Sequence, residues 1–142
     1  MKRLCFFLIT CMFIISCKTA EQNTKHVLTS ENSFLITEVS TDKTYGYTES
    51  NPIKVGSKTM EDGPLNERRF LNALAGPGGE PIKYERLGSC CFFSTKNGFM
   101  GGGLLDKYEV TWTGQREPVV LYLNMYDPGP LKCPVGFTIR GR

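Results

Sequence analysis

LDKYEVTWTGQREPVVLYLNMY, residues Leu105–Tyr126, is the stretch whose reading decides the fold. Successive side chains of an extended chain alternate between faces. Tyr108, Val110 and Trp112 therefore share one face, and Lys107, Glu109 and Thr111 the other. Gly114–Pro118 supplies turn residues, and Val119–Tyr126 returns with Val119, Leu121, Leu123 and Met125 on one side. Two alternating runs about a short polar loop predict an antiparallel hairpin.

Upstream, period two continues in Ile82–Leu87, with Ile82, Tyr84 and Arg86 opposite Lys83, Glu85 and Leu87, and again in Ser89–Thr95 beyond Gly88. Asn97–Gly103 reads as a glycine-rich connector. Before these lies the one convincing helix, Pro64–Ala75. Asp62 or Gly63 can cap it, Pro64 suits its first turn, and Glu67 favours the positive end of its dipole. Leu65, Phe70, Leu71 and Leu74 give it an apolar side, and Gly76-Pro77 marks its end. Ser33–Ser40 and Ile53–Val55 are earlier strand candidates; Val135–Ile139 is a last one, after the turn Asp127–Pro130. One helix packed on a largely antiparallel sheet of five or six strands is an α+β fold.

The amino terminus carries a different signal. Lys2 and Arg3 precede an apolar run from Leu4 to Ile15, which closes on Ile14-Ile15-Ser16-Cys17. This is the layout of a secretory leader with a small residue before the cut. Leu4–Ser16 would make a helix of roughly 20 Å at about 1.5 Å per residue, against a hydrocarbon core of about 30 Å. It is too short to span comfortably. The last four residues resemble a bacterial lipobox, which predicts cleavage of residues 1–16 and lipidation of Cys17. Residues 17–32, with lone His26 among them, read as a polar tether, and 33–142 as a single domain. Stable anchoring needs more than one acyl chain, and the bacterial modification places two or three on one cysteine. Lys18, rather than an aspartate, after that cysteine favours the outer membrane.

Loss of Lys2 and Arg3 reduces 17 basic residues against 14 acidic to 15 against 14. Such a scattered, balanced charge is no footprint for nucleic acid. Of the six cysteines, Cys5 and Cys11 leave with the leader and Cys17 takes lipid, so Cys90, Cys91 and Cys133 remain in a compartment that permits disulfides. Cys90 and Cys91 point to opposite faces of a strand, so the expected bond runs from one of them to Cys133. Closing that loop of roughly 42 residues would contribute about 4 kcal/mol. The same geometry argues against a zinc site, and neither a metal nor a cofactor is expected.

Catalytic patterns are sparse. The Gly98–Gly103 loop lacks the lysine and the following helix of a phosphate cradle. One histidine and no Gly-x-Ser-x-Gly leave a hydrolytic triad without its base. Glu67, Glu80, Glu85 and Glu109 offer carboxylates, but no spacing selects two of them. Asn66-Glu67-Arg68-Arg69 reads as a solvated helix face, with an anion site as its alternative. Tyr45, Tyr47, Tyr122 and Tyr126 are candidates for a contact surface, because tyrosines are enriched at interfaces.

Several strings together carry a resemblance: Tyr45–Thr48 (YGYT), Asn51–Gly56 (NPIKVG), Gly63–Gly76 (GPLNERRFLNALAG), Gly88–Cys91 (GSCC) and Leu121–Asp127 (LYLNMYD). The chain resembles a family of small Gram-negative lipoproteins of undescribed function, over most of residues 44–137. Members often carry the name 2-dehydro-3-deoxyphosphooctonate aldolase. The enzyme of that name is a (β/α)₈ barrel working on cytoplasmic substrates, and such a barrel needs about 250 residues, against the 142 here. The resemblance implies a lipid-anchored envelope protein; the sequence as a whole is read as a non-enzymatic binding or structural module of unknown ligand, with the membrane and an envelope protein as the expected partners. The alternative is an enzyme, either that aldolase or an envelope activity without a recognised motif.

Overall fold

The structure is a computed structural model and describes residues 25–57 and 62–141. The leader, Cys17 and the first part of the tether lie outside the described residues.

The expected hairpin is the middle of a four-stranded sheet. β5 (Ile82–Ser94), β6 (Gly102–Trp112) and β7 (Val119–Asn124) run antiparallel in sequence, and β3 (Ile53–Lys54) joins β7 in parallel, giving the order β3-β7-β6-β5. Two short pairs flank it. β1 (Leu28–Ser30) pairs with β2 (Ser33–Phe34), and β4 (Leu74–Ala75) with β8 (Thr138–Ile139). Among the described residues one α-helix, α1 (Gly63–Asn72), completes an α+β arrangement, as the periodicity predicts. Registers Ile82↔Trp112, Tyr84↔Val110 and Tyr108↔Leu121 align the even-numbered face of β6 with its neighbours. That face packs on Phe70 and Leu71 of α1, with Ile36, Val55, Leu123, Cys133 and Phe137 filling the core.

The structure departs from the sequence reading at five places. The helix ends at Asn72 rather than Ala75, because Leu74 and Ala75 find strand partners in Ile139 and Thr138. Asp62 occupies the cap position, but its carboxylate accepts no cap hydrogen bond. Ile82–Leu87 and Ser89–Thr95 are one strand, since Gly88, at a positive φ of 125°, absorbs a register shift instead of ending the strand. The tether is shorter than 17–32: β1 closes on β2, and Arg69 Nε donates to the Glu31 carbonyl while Asn72 Nδ2 donates to that of Asn32, at 2.9 and 2.8 Å. Ser33–Ser40 buries Phe34 and Ile36 on one face and exposes Leu35 and Val39 on the other, but only its first two residues join a strand.

Candidate functional site

The charged cluster beneath α1 is built by the even-numbered face of β6 and the residues of β5 that stand opposite it. Arg86 stands opposite Tyr108, and after the register shift Ser89 stands opposite Asp106. Arg86 grips the Asp106 carboxylate with both arms of its guanidinium, Nε to Oδ2 and Nη2 to Oδ1, each at 2.8 Å. Ser89 Oγ donates to Asp106 Oδ1 at 2.7 Å and accepts from Arg86 Nη2 at the same distance. Such bidentate, charge-assisted pairing is the strong form of the interaction. Asp106 is 3% exposed, while the arginine keeps 47% of its side chain in solvent.

Glu67 descends from α1 onto this cluster and is completely buried. Tyr108 Oη donates to its Oε2 at 2.9 Å, whereas Oε1 has no hydrogen-bond partner. Burial, then the charge of Asp106, pushes the Glu67 carboxyl up to about 8; the tyrosine bond and Arg86 oppose that rise. A protonated Glu67 sets a dipole against Asp106 in place of a second full charge. Tyr108 is pushed upward in turn, by burial and by the neighbouring carboxylates. Glu67 is thus a carboxylic acid held neutral at ordinary pH. It contradicts the expectation of a solvated Asn66–Arg69 face: Asn66 and Glu67 are both buried, and Asn66 Oδ1 accepts from Arg69 Nη1 at 3.0 Å. The signal was present in the strand, since Asp106 has the same parity as Tyr108 and Val110 and so belongs to the core face.

Two clefts open elsewhere. The larger, about 430 Å³, is lined by His26, Phe34, Gly56, Asp62, Asn66 and Arg69, among others. His26 is no solvated tether residue. Its Nε2 lies 3.1 Å from the Gly56 carbonyl, its ring packs on Phe34, and burial lowers its pKa despite that hydrogen bond. The cleft combines an apolar wall with cationic and amide donors, a lining suited to holding a ligand. Glu67 does not line it. The second cleft, about 360 Å³, lies between Asp42, Tyr45, Asn51, Lys54 and Lys132.

Of the four tyrosines, Tyr122 adjoins the turn that carries Tyr45 and Tyr47, its N donating to the Gly46 carbonyl at 2.8 Å. Tyr45 Oη donates to the Pro130 carbonyl and accepts from Lys132 N, and burial pushes its pKa up to about 12. Tyr47 Oη donates to the Val135 carbonyl. These two tie the 44–51 loop to the carboxy-terminal segment. Tyr122 lies on β7 opposite Lys107, and Tyr126 packs edge-on against Phe93, 5.9 Å between ring centres. All four are half-buried.

The expected bond to Cys133 is not formed. Cys133 is buried in the core beside Val39, its thiol directed at the Pro134 carbonyl and pushed up to about 11 by burial. Cys90 and Cys91 are joined to each other. The expectation assumed strict alternation along β5. A second register shift falls between Cys90 and Phe92, and Cys91, at a φ of 57°, is the residue that breaks the alternation. Among the described residues no group of three or more His, Cys, Asp or Glu side chains is placed to hold a metal, and no helix is long and apolar enough to cross a membrane.

With this geometry in hand, comparison with known proteins adds no further identity: no family model, curated protein or solved structure matches the chain.

Proposed function

We propose that the chain is a lipid-anchored protein of the cell envelope, fastened through Cys17, whose folded body is a non-catalytic binding module. The leader Lys2–Cys17 carries this reading: a basic start, a run too short to span, and a small residue before a cysteine. The resemblance to small Gram-negative lipoproteins supports the same assignment. The larger cleft supports the binding role. Lys25 and His26, the first described residues, contribute to its wall, so an occupant would touch the start of the folded body as well as α1. Glu67, the acid whose carboxyl is raised, is buried and does not line that cleft. The 2-dehydro-3-deoxyphosphooctonate aldolase name draws no support from an α+β sheet of four strands.

The test has two arms. Cys17→Ala should move the protein out of the detergent phase on phase partitioning; retention there contradicts the anchor. A pull-down from detergent-solubilised membranes should return a stoichiometric envelope partner. Turnover of phosphoenolpyruvate by the purified protein would contradict the non-catalytic reading.

A further inference from the structure

The far end of the β5–β6 hairpin is unlike the rest of the surface. Phe92, Phe99 and Met100 are 74, 80 and 90% exposed, and Leu87 and Leu104 are about half exposed. Phe92 and Leu104 are cross-strand partners, so they share a face. Phe99 and Met100 form the turn itself, where Met100 takes a φ of 52°. From Leu87 to Leu105 the sequence contains one charged side chain, Lys96, and no carboxylate. Solvated hairpin tips are ordinarily polar; large apolar groups clustered at a protruding end mark an interaction site.

The base of this tip adjoins the point where the tether enters the domain. Thr95 Oγ1 and Asn97 Nδ2 donate to Asp127 Oδ1 at 2.5 and 2.9 Å, and Asn124 Nδ2 donates to Oδ2 at 3.0 Å. The Asp127 carbonyl accepts from Gly56 N at 3.0 Å, and the Gly56 carbonyl meets His26. A continuous chain of hydrogen bonds thus links the tip loop to residue 26, nine positions after Cys17. Nine residues reach at most about 30 Å when extended.

We propose that the hairpin tip Phe92/Phe99/Met100 inserts into the phospholipid surface that holds the Cys17 lipid, giving the protein a second point of attachment and a fixed orientation. The proposal rests on the lipid-anchored reading for its membrane. Three observations select lipid over another occupant. The segment has no carboxylate to be repelled by an anionic headgroup layer. Its apolar side chains project from the end of a hairpin rather than lining a groove. The β5 edge, the other route to a partner, is broken by two register shifts, the device by which edges avoid pairing with a second copy.

The experiment uses the processed full-length protein reconstituted into phosphatidylethanolamine–phosphatidylglycerol vesicles, with and without brominated acyl chains. Phe99→Trp, an exposed site that tolerates the change, adds a reporter to the single native Trp112. The expected result is a blue-shifted contribution from the new tryptophan that is lost with brominated chains, while the parent protein's emission is unchanged. Emission of a water-exposed tryptophan, unquenched, overturns the proposal. So does a blue shift without quenching, which would show that protein rather than lipid covers the tip. The mass of the amino-terminal peptide from the same sample reads Cys17 acylation independently. An acylated protein with an unquenched tip refutes this inference alone, whereas an unmodified Cys17 refutes the anchor.

Discussion

Replacing Glu67 by Gln should flatten the pH dependence of stability. In the folded protein this carboxyl holds its proton up to about 8, against 4.5 unperturbed. Unfolding releases that proton at any pH between the two values, so the unfolded chain binds fewer protons and stability falls as pH rises across the window. The stabilisation is fully present below about pH 4.5 and exhausted above about pH 8. Each pH unit is worth about 1.4 kcal/mol. The protein should therefore lose roughly 3 kcal/mol from this group between pH 5 and pH 7, before other groups contribute. Glu67 is completely buried, so solvent screening does not reduce the effect. Gln preserves an acceptor for Tyr108 and presents an amide donor towards Asp106, but it cannot titrate. His26, whose lowered pKa adds an opposite slope as pH rises towards 6.5, is the same in both proteins and cancels in the difference. Urea denaturation at pH 5, 6 and 7 gives the comparison directly. The difference between parent and E67Q should change by roughly 3 kcal/mol across that range, in favour of E67Q at the higher pH. Parallel curves for the two proteins would refute the argument that Glu67 is folded as a neutral acid.

Arg86→Ala leaves the nearly buried Asp106 without its bidentate partner, and should destabilise by about 2 kcal/mol, a figure held down because the guanidinium is half exposed; chemical denaturation reads it. Asp127→Ala removes the shared acceptor of Thr95, Asn97 and Asn124. A loss of about 2–3 kcal/mol is expected, with faster hydrogen exchange concentrated at residues 95–101. Non-reducing peptide mapping should find Cys90 bonded to Cys91, and Cys133 alkylated only after unfolding. Because that bond closes almost no loop, its reduction should change the midpoint far less than a Cys133 bridge would.

The hairpin and the helix were legible because their side chains repeat with a clean period. The alternation in Leu105–Thr113 gives β6 its core face, and Phe70 with Leu71 identifies the buried side of α1. The charged cluster was less legible. Asp106, Arg86 and Glu67 each look soluble in isolation, and only strand parity, read across two strands and a helix, brings them together. The bulges at Gly88 and Cys91 defeat local reading altogether: one extra residue reverses every face beyond it, so strict alternation does not place Cys90 and Cys91. β4 has no strand signal of its own, its residues reading as the end of the helix, whereas β8 is the end of the expected Val135–Ile139 strand, cut back to the two residues that pair with β4. His26 shows the same limit, its environment being set by Gly56 and Phe34 far along the chain.

The account depends most on what is attached to the seventeenth residue. Intact-mass and amino-terminal peptide measurement of the protein from isolated membranes tests that directly. The expected product begins at Cys17 and carries the added mass of a diacylglyceryl group, with or without a further amide-linked chain. A soluble protein that retains Met1, or a mature form whose Cys17 is unmodified, would contradict it.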